Sequence, residues 1–183
     1  MAPTHGWAIW LTGLPAAGKT TLAHALRHRL NKLGVTAALL DSDELRPILA
    51  PGAAYSQAER DEFYLRLVRL AALLTRDGVN VMIAATGNLR AYRDCAAKAL
   101  APFAEIWVRC SIERCRERDP KGLYAAAAAG AISDLPGVHV AYEPPLAPAV
   151  TVDTDRQSVA EAVEAILTGV PFIGEEVWTE ARS

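Results

Sequence analysis

The chain has 183 residues, 51% of them apolar and 22% charged, with a formal net charge of −2. That is enough chain for one domain with a substantial buried core. The near-neutral balance excludes a bulk electrostatic grip on nucleic acid or on an acidic membrane, and no apolar run reaches the ~20 residues of a membrane-spanning helix.

Strands alternate with helices along the chain. Residues 7–11 (WAIWL) are a short apolar run ending in Thr12-Gly13, which predicts a buried strand. Residues 18–33 predict a helix with Leu22, Leu26, Leu30 and Leu33 along one side. Residues 35–40 (VTAALL) predict a second strand ending at Asp41. Ser56 and Glu59 have capping-box spacing and open a long helix to about Arg76, ended by Gly78; its Leu-rich stretch 65–74 is expected to face the core. Residues 79–85 predict the third strand, 89–100 a helix, 104–110 the fourth strand, and the residues up to Arg118 a short charged helix. Residues 149–153 predict the fifth strand and 158–167 an amphipathic helix. The tail 169–183 has no assigned element, and for its last stretch GEEVWTEARS (174–183) a homodimer contact and a frayed end fit equally.

Strands separated by helices imply parallel pairing and right-handed crossovers. The expected fold is therefore an α/β sandwich, a five-stranded parallel sheet flanked by helices. Ligands of such sheets bind at the carboxyl ends of the strands. The N-terminal MAPTHGWAIWLTG lacks the cationic flank and cleavage pattern of a signal peptide. Cys95, Cys110 and Cys115 have no CxxC spacing and suit free thiols, so a cytoplasmic setting is expected.

The first predicted strand runs into GLPAAGKTT, which fits G-x-x-x-x-G-K-[ST]. Two glycines and small residues let backbone N–H groups wrap a polyphosphate, and the following helix aims its positive N-terminus at the same place. Gly13, Leu14, Pro15, Ala16, Ala17, Gly18, Lys19, Thr20 and Thr21 are thus read as the ATP-binding loop. Lys19 is expected to reach the terminal phosphates and the Thr20 hydroxyl to ligate Mg²⁺.

The class of P-loop protein follows from where acids stand. A GTPase needs N-K-x-D, and Asn31-Lys32-Leu33-Gly34 lacks the Asp. An ATPase sets an acid at the end of a core strand, and the third strand runs into Ala84-Ala85-Thr86-Gly87 without one. The acids follow the second strand instead, in LLDSDELR. Asp41 and Asp43 then lie beside the P-loop if those strands flank one cleft. That suits a small-molecule kinase, in which one carboxylate orients Mg²⁺ and another takes a proton from the acceptor hydroxyl. Asp41-Ser42-Asp43 also fits a helix N-cap, and the two roles are compatible.

These residues resemble the adenylylsulfate kinase family. Its Gly-Leu-x-x-x-Gly-Lys-[Ser/Thr]-Thr is matched by Gly13 to Thr21, and its Asp-Gly-Asp-x-x-Arg by Asp41, Ser42, Asp43 and Arg46. Its Arg-Asp-x-Lys-Gly-Leu-Tyr is matched from Arg118 to Tyr124, followed by Ala129-Gly130-x-Ile132, Gly137 and Tyr142-Glu143-x-Pro145. The resemblance spans about residues 7–168. It implies a single P-loop kinase domain over 1–183, with a lid over about 118–145, that uses MgATP to phosphorylate the 3′-hydroxyl of adenosine 5′-phosphosulfate. It implies Asp43 and Lys19 as catalytic residues and Thr20 and Asp41 as the metal pair. Around the acceptor it implies Asp41, Asp43, Arg46, Tyr55, Arg60, Phe63, Ala85, Thr86, Lys121 and Leu135. Arg118 and Lys121 are expected to face phosphate or sulfate groups. The five alanines 125–129 have the highest helix propensity available and predict a short lid helix ended by Gly130.

Three departures bear on the acceptor. The family's Phe-Ser-x-x-Asp-Arg-x-x-Asn corresponds to Tyr55 through Phe63, so the Asn that contacts the acceptor has become Phe63. Its Ile-Ser-Pro after the third strand is Ala85-Thr86-Gly87. The Phe that stacks on the acceptor's adenine is Leu135. The Phe63 ring is expected to compensate from the other side of the pocket. The same chemistry on another nucleotide-like or phosphorylated small molecule stays open as the alternative. His24 and His28 are read as a solvated helix face, and Cys110 and Cys115 as packing thiols.

Overall fold

A computed structural model describes residues 5–52 and 55–173. Its sheet is built around β1 (Ala8–Thr12), which is buried throughout, as an unbroken apolar run requires. β1 pairs in parallel with β3 (Val81–Ala84), Ile9 opposite Met82, and with β4 (Phe103–Arg109), Ile9 opposite Ala104. β2 (Ala38–Asp41) extends the sheet beyond β3, and β5 (Val150–Asp153) extends it beyond β4. The order is β2-β3-β1-β4-β5 with every pair parallel. The chain leaves β1 toward β2 on one side and later reaches β4 and β5 on the other. The carboxyl end of β1 therefore opens on the crevice where such sheets bind ligands.

Each face of the sheet carries its own core. On one face Ile9, Leu11, Ile106 and Val108 pack beneath α1 (Lys19–Lys32) and α7 (Val159–Gly169), through Leu22, Leu26, Leu30, Val163 and Ile166. On the other, Ala8, Trp10, Val81 and Ile83 meet α3 (Gln57–Arg76) and α4 (Arg90–Ala99), through Phe63, Tyr64, Leu67, Ala71 and Ala96. The Ser56–Glu59 capping box forms with both of its hydrogen bonds. The Leu-rich stretch is only partly core-facing: Leu67 is fully buried, whereas Leu65 and Leu73 are exposed.

α2 (Ser42–Leu49) is a helix that apolar periodicity does not announce; it is eight residues long and contains Pro47. Asp41 caps it, its carboxylate accepting from Asp43 N. α5 (Ile112–Arg118) and α6 (Leu123–Ala128) complete the chain, α6 being the polyalanine helix. Of the tail, Val170 and Ile173 are buried in the α1–α7 core and Phe172 packs against Trp7. Residues 174–183, on which the choice between a dimer contact and a frayed end falls, lie outside the described residues. No helix among the described residues is long and apolar enough to cross a membrane.

Candidate active site

The P-loop closes tightly because two of its glycines allow it. A Cβ on Gly13 would collide with the Val108 carbonyl of β4, and Gly18 adopts the left-handed region at the cap of α1, with φ 98°. Lys19 folds back over the loop, its Nζ donating to the carbonyls of Gly13 (3.0 Å) and Leu14 (2.8 Å). Burial pushes its pKa down to about 8, against the opposing pull of Asp43 and Asp41. A polyphosphate supplies the negative charge that this desolvated ammonium requires.

The β2 acids and the P-loop meet, as expected from the sequence. The Thr20 hydroxyl donates to Asp41 Oδ2 at 2.7 Å, while Asp41 Oδ1 accepts from Asp43 N at 2.9 Å. One buried carboxylate therefore caps α2 and holds the P-loop hydroxyl. Both groups are hard oxygen donors, the set suited to Mg²⁺ bound through one or two protein oxygens plus phosphate. Asp43 projects into the cleft from the first turn of α2 and carries the Lys121 ammonium of the lid.

The segment 118–145 is fastened to the P-loop at three places. Tyr124, buried under α6, donates its hydroxyl to Pro15 O at 3.0 Å. Arg118 bonds Thr154 at the end of β5, Nη1 to the hydroxyl at 3.1 Å and Nη2 to the carbonyl at 2.6 Å; the same hydroxyl bonds Ala17 O at 3.0 Å. Gly137, at φ 83°, lies so close to Leu14 that a Cβ would fall 2.5 Å from Leu14 Cδ2. Arg118 thus reaches the P-loop through Thr154 and Ala17, and Lys121 meets Asp43.

Arg46, Tyr55, Arg60, Thr86 and Leu135, the residues expected around the acceptor, all line one cleft of about 970 Å³ with the P-loop. That is the upper end of the ~300–1,000 Å³ usual for a small-molecule site, as two substrates require. Arg60 is nearly buried; its Nε donates to Tyr55 O at 2.9 Å, and its Nη2 bonds the Asp134 carbonyl and pairs with its carboxylate at 3.4 Å. Two residues expected against the acceptor lie elsewhere. Phe63 is fully buried in the core beneath the Arg46 guanidinium, so its ring does not face the cleft. Ala85 is fully buried as well, its carbonyl accepting from Trp10 Nε1 at 2.9 Å.

Other parts of the site carry no local sequence signal. Tyr64 lines the cleft, its hydroxyl fixed by Gly87 N at 3.0 Å and its pKa raised by burial. Arg93, on α4, is buried and bonds Glu105, Gly87 O and Glu143 O, clamping the Tyr142-Glu143-x-Pro145 segment against β4. That motif is structural in this chain: Glu143 Oε2 also accepts from Arg90 N at 2.7 Å at the start of α4. His24 and His28 are exposed, and no cluster of metal-ligating side chains occurs among the described residues. Cys110 and Cys115 are buried, the Cys115 thiol pushed up to about 12 by burial.

Comparison with known proteins agrees with this geometry. The family model for adenylylsulphate kinase matches residues 5–153. The adenylyl-sulfate kinase of Rippkaea orientalis is 41% identical over 169 residues, covering 92% of this chain and 93% of its own. The probable adenylyl-sulfate kinase of Archaeoglobus fulgidus is 41% identical over 150 residues, covering 82% and 97%. Among solved structures, the Mycobacterium tuberculosis APS kinase CysC in complex with AMPPNP and APS superposes with a TM-score of 0.86 at 33% identity, covering 92% of this chain and 99% of that one.

Proposed function

The chain belongs to the adenylylsulphate kinase family, and on that premise we propose that it transfers the γ-phosphoryl group of ATP to the 3′-hydroxyl of adenosine 5′-phosphosulfate. The observation that carries this reading is the meeting of the Thr20–Asp41 hydrogen bond, Asp43 and Lys121 at one point of the cleft, between the P-loop and Arg46. The P-loop amides and Lys19 hold the donor phosphates, and Arg118 with Thr154 flanks the donor end. Thr20 and Asp41 would hold Mg²⁺, which when bound neutralises charge on the transferring phosphates.

Asp43 takes the proton of the acceptor hydroxyl as its oxygen attacks the γ-phosphorus in line, and ADP leaves. Lys121, now on Asp43, is free to follow the acceptor's anionic group once that group enters. Arg46 faces the same group, and Arg60 braces the wall formed by Tyr55 and Asp134. The chain acts as one P-loop kinase domain with 118–145 as its lid. The free thiols of Cys95, Cys110 and Cys115 suit a reducing, cytoplasmic setting.

A coupled assay of adenylylsulfate-dependent ADP release, with mass identification of a 3′-phosphorylated product, tests the reading. ATP turnover that ignores adenylylsulfate but responds to another hydroxyl acceptor would overturn it.

A further inference from the structure

We propose that Phe63 is a positioning residue for acceptor binding: its buried ring holds the Arg46 guanidinium in place, so that the cation's N–H donors remain available to the acceptor's anionic group. This rests on the reading above, in which adenylylsulfate is the acceptor and Arg46 meets it.

Arg46 sits on α2, three residues beyond Asp43, and lines the cleft. Its Cζ lies 3.9 Å from the ring centroid of Phe63 and 4.5 Å from that of Tyr55. A ring face has no hydrogen-bond acceptor to match a guanidinium's N–H donors, so contact with it consumes none of them. Nη1 of Arg46 is buried and has no hydrogen-bond partner. A buried cationic N–H without a partner is unfavourable by itself. Attraction to an aromatic face compensates, and is strongest where water is excluded. Arg60 differs: it is bonded to Tyr55 O and to Asp134. Arg46 is thus the arginine held ready for an anion.

Phe63 cannot swing away. It is fully buried, and its ring meets Tyr64 edge-on at 5.3 Å, while Tyr64 stacks on Tyr92 at 4.4 Å. A polar residue at this position would bond the guanidinium or the ligand directly. The phenyl ring does neither; it fixes the orientation of the residue that binds.

The test replaces the Phe63 ring site-specifically with its mono-, di- and trifluorinated forms. These keep the shape and withdraw negative charge from the ring face. Dissociation constants for adenylylsulfate and for ATP are measured by calorimetry on the full chain, with melting temperature followed in parallel. Adenylylsulfate affinity should fall stepwise, by roughly three- to tenfold at the trifluorinated ring, with ATP affinity and melting temperature steady. In an Arg46→Ala chain the same series should be flat. Phe63→Leu should raise the acceptor KM and leave kcat at saturating acceptor unchanged. A flat series in the Arg46-containing chain, or an equal fall in the Arg46→Ala chain, overturns the proposal while leaving the kinase reading intact. Failure of the unsubstituted chain to bind adenylylsulfate overturns both.

Discussion

The Lys121 ammonium of the lid rests on the Asp43 carboxylate at the start of α2. Both side chains are more than half exposed, 53% and 60%, so the pair itself contributes only ~0–1 kcal/mol. So weak a pair ties segment 118–145 to α2 without locking it, and on the proposed reading an incoming anionic acceptor replaces one carboxylate by another anion. Lys121→Ala should therefore weaken the acceptor far more than the donor. Loss of a charge-assisted contact of ~1.5–3 kcal/mol corresponds to roughly ten- to hundredfold in acceptor KM. Titration of each substrate at saturation of the other checks this, and an effect confined to ATP would move Lys121 to the donor side.

Asp41 and Asp43 should separate by experiment although they are two residues apart. Asp43→Asn keeps the shape of α2 and removes the proton acceptor, so ATP affinity should persist while kcat falls by ~10²–10⁴. Asp41→Ala removes both the helix cap and the partner of Thr20. It should lower activity and also cost ~0.5–2 kcal/mol of stability. Thermal melts beside kinetics distinguish the two. If Asp43→Asn lost ATP affinity and kept its acceptor-saturated rate, Asp43 would be a metal or structural residue.

What the sequence made legible was local. The P-loop, the capping box at Ser56 and the strand–helix alternation each rest on residues within a few positions of one another, and the structure realises them. α2 announced only its start, through the N-cap that Asp41 does form, because eight residues with an internal proline give no period to detect. The placement of Phe63 escaped because a ring beside a cleft and a ring beneath an arginine look identical in sequence. Arg93 reads as one charge among many on α4, and only the fold brings Gly87, Glu105 and Glu143 around it. Arg118 belongs to a motif that marks the lid, yet the residue it bonds, Thr154, lies 36 positions away on β5's end.

Gly137→Ala should damage the donor site from a distance. Gly137 adopts φ 83°, and its Cβ would meet Leu14 of the P-loop at 2.5 Å. Both the backbone strain and the overlap push on the phosphate loop, with ~1–3 kcal/mol at stake. The expected outcome is a raised ATP KM together with a lower melting temperature. A change in acceptor KM alone would show that the lid tail does not bear on the P-loop.

Thiol reactivity should follow burial. Cys95 is exposed, whereas Cys110 and Cys115 are buried. Burial pushes both buried thiols up, Cys115 to about 12. A raised thiol pKa favours the unreactive protonated form, so at pH 8 Cys115 is almost wholly protonated. A disulfide reagent at pH 8 should titrate one thiol rapidly in the native chain and three in denaturant. Rapid reaction of two or three native thiols would show that the α5 packing is open.

Leu135→Phe weighs two effects of similar size that act on different measurements. Leu135 lines the cleft yet is only 4% exposed and belongs to the α1–α7 core. Its backbone is held by its N–H on His139 Nδ1 at 3.3 Å and by its carbonyl, which accepts from His139 N at 2.9 Å. A larger ring must therefore find room without moving the chain. Overpacking costs ~1–3 kcal/mol, and it falls on the folded protein with or without ligand. Each kcal/mol is worth ~2–4 °C of melting temperature in a chain of this size, so the melt should drop by several degrees. A base–aromatic stack contributes ~1–3 kcal/mol, and because Leu already buries apolar surface against the base, the gain falls at the lower end. Adenylylsulfate should accordingly bind several-fold more tightly to the folded variant, with ATP affinity unchanged. If acceptor affinity instead drops with the melting temperature, the substituted ring is turned into the core and adds no stack to the adenine.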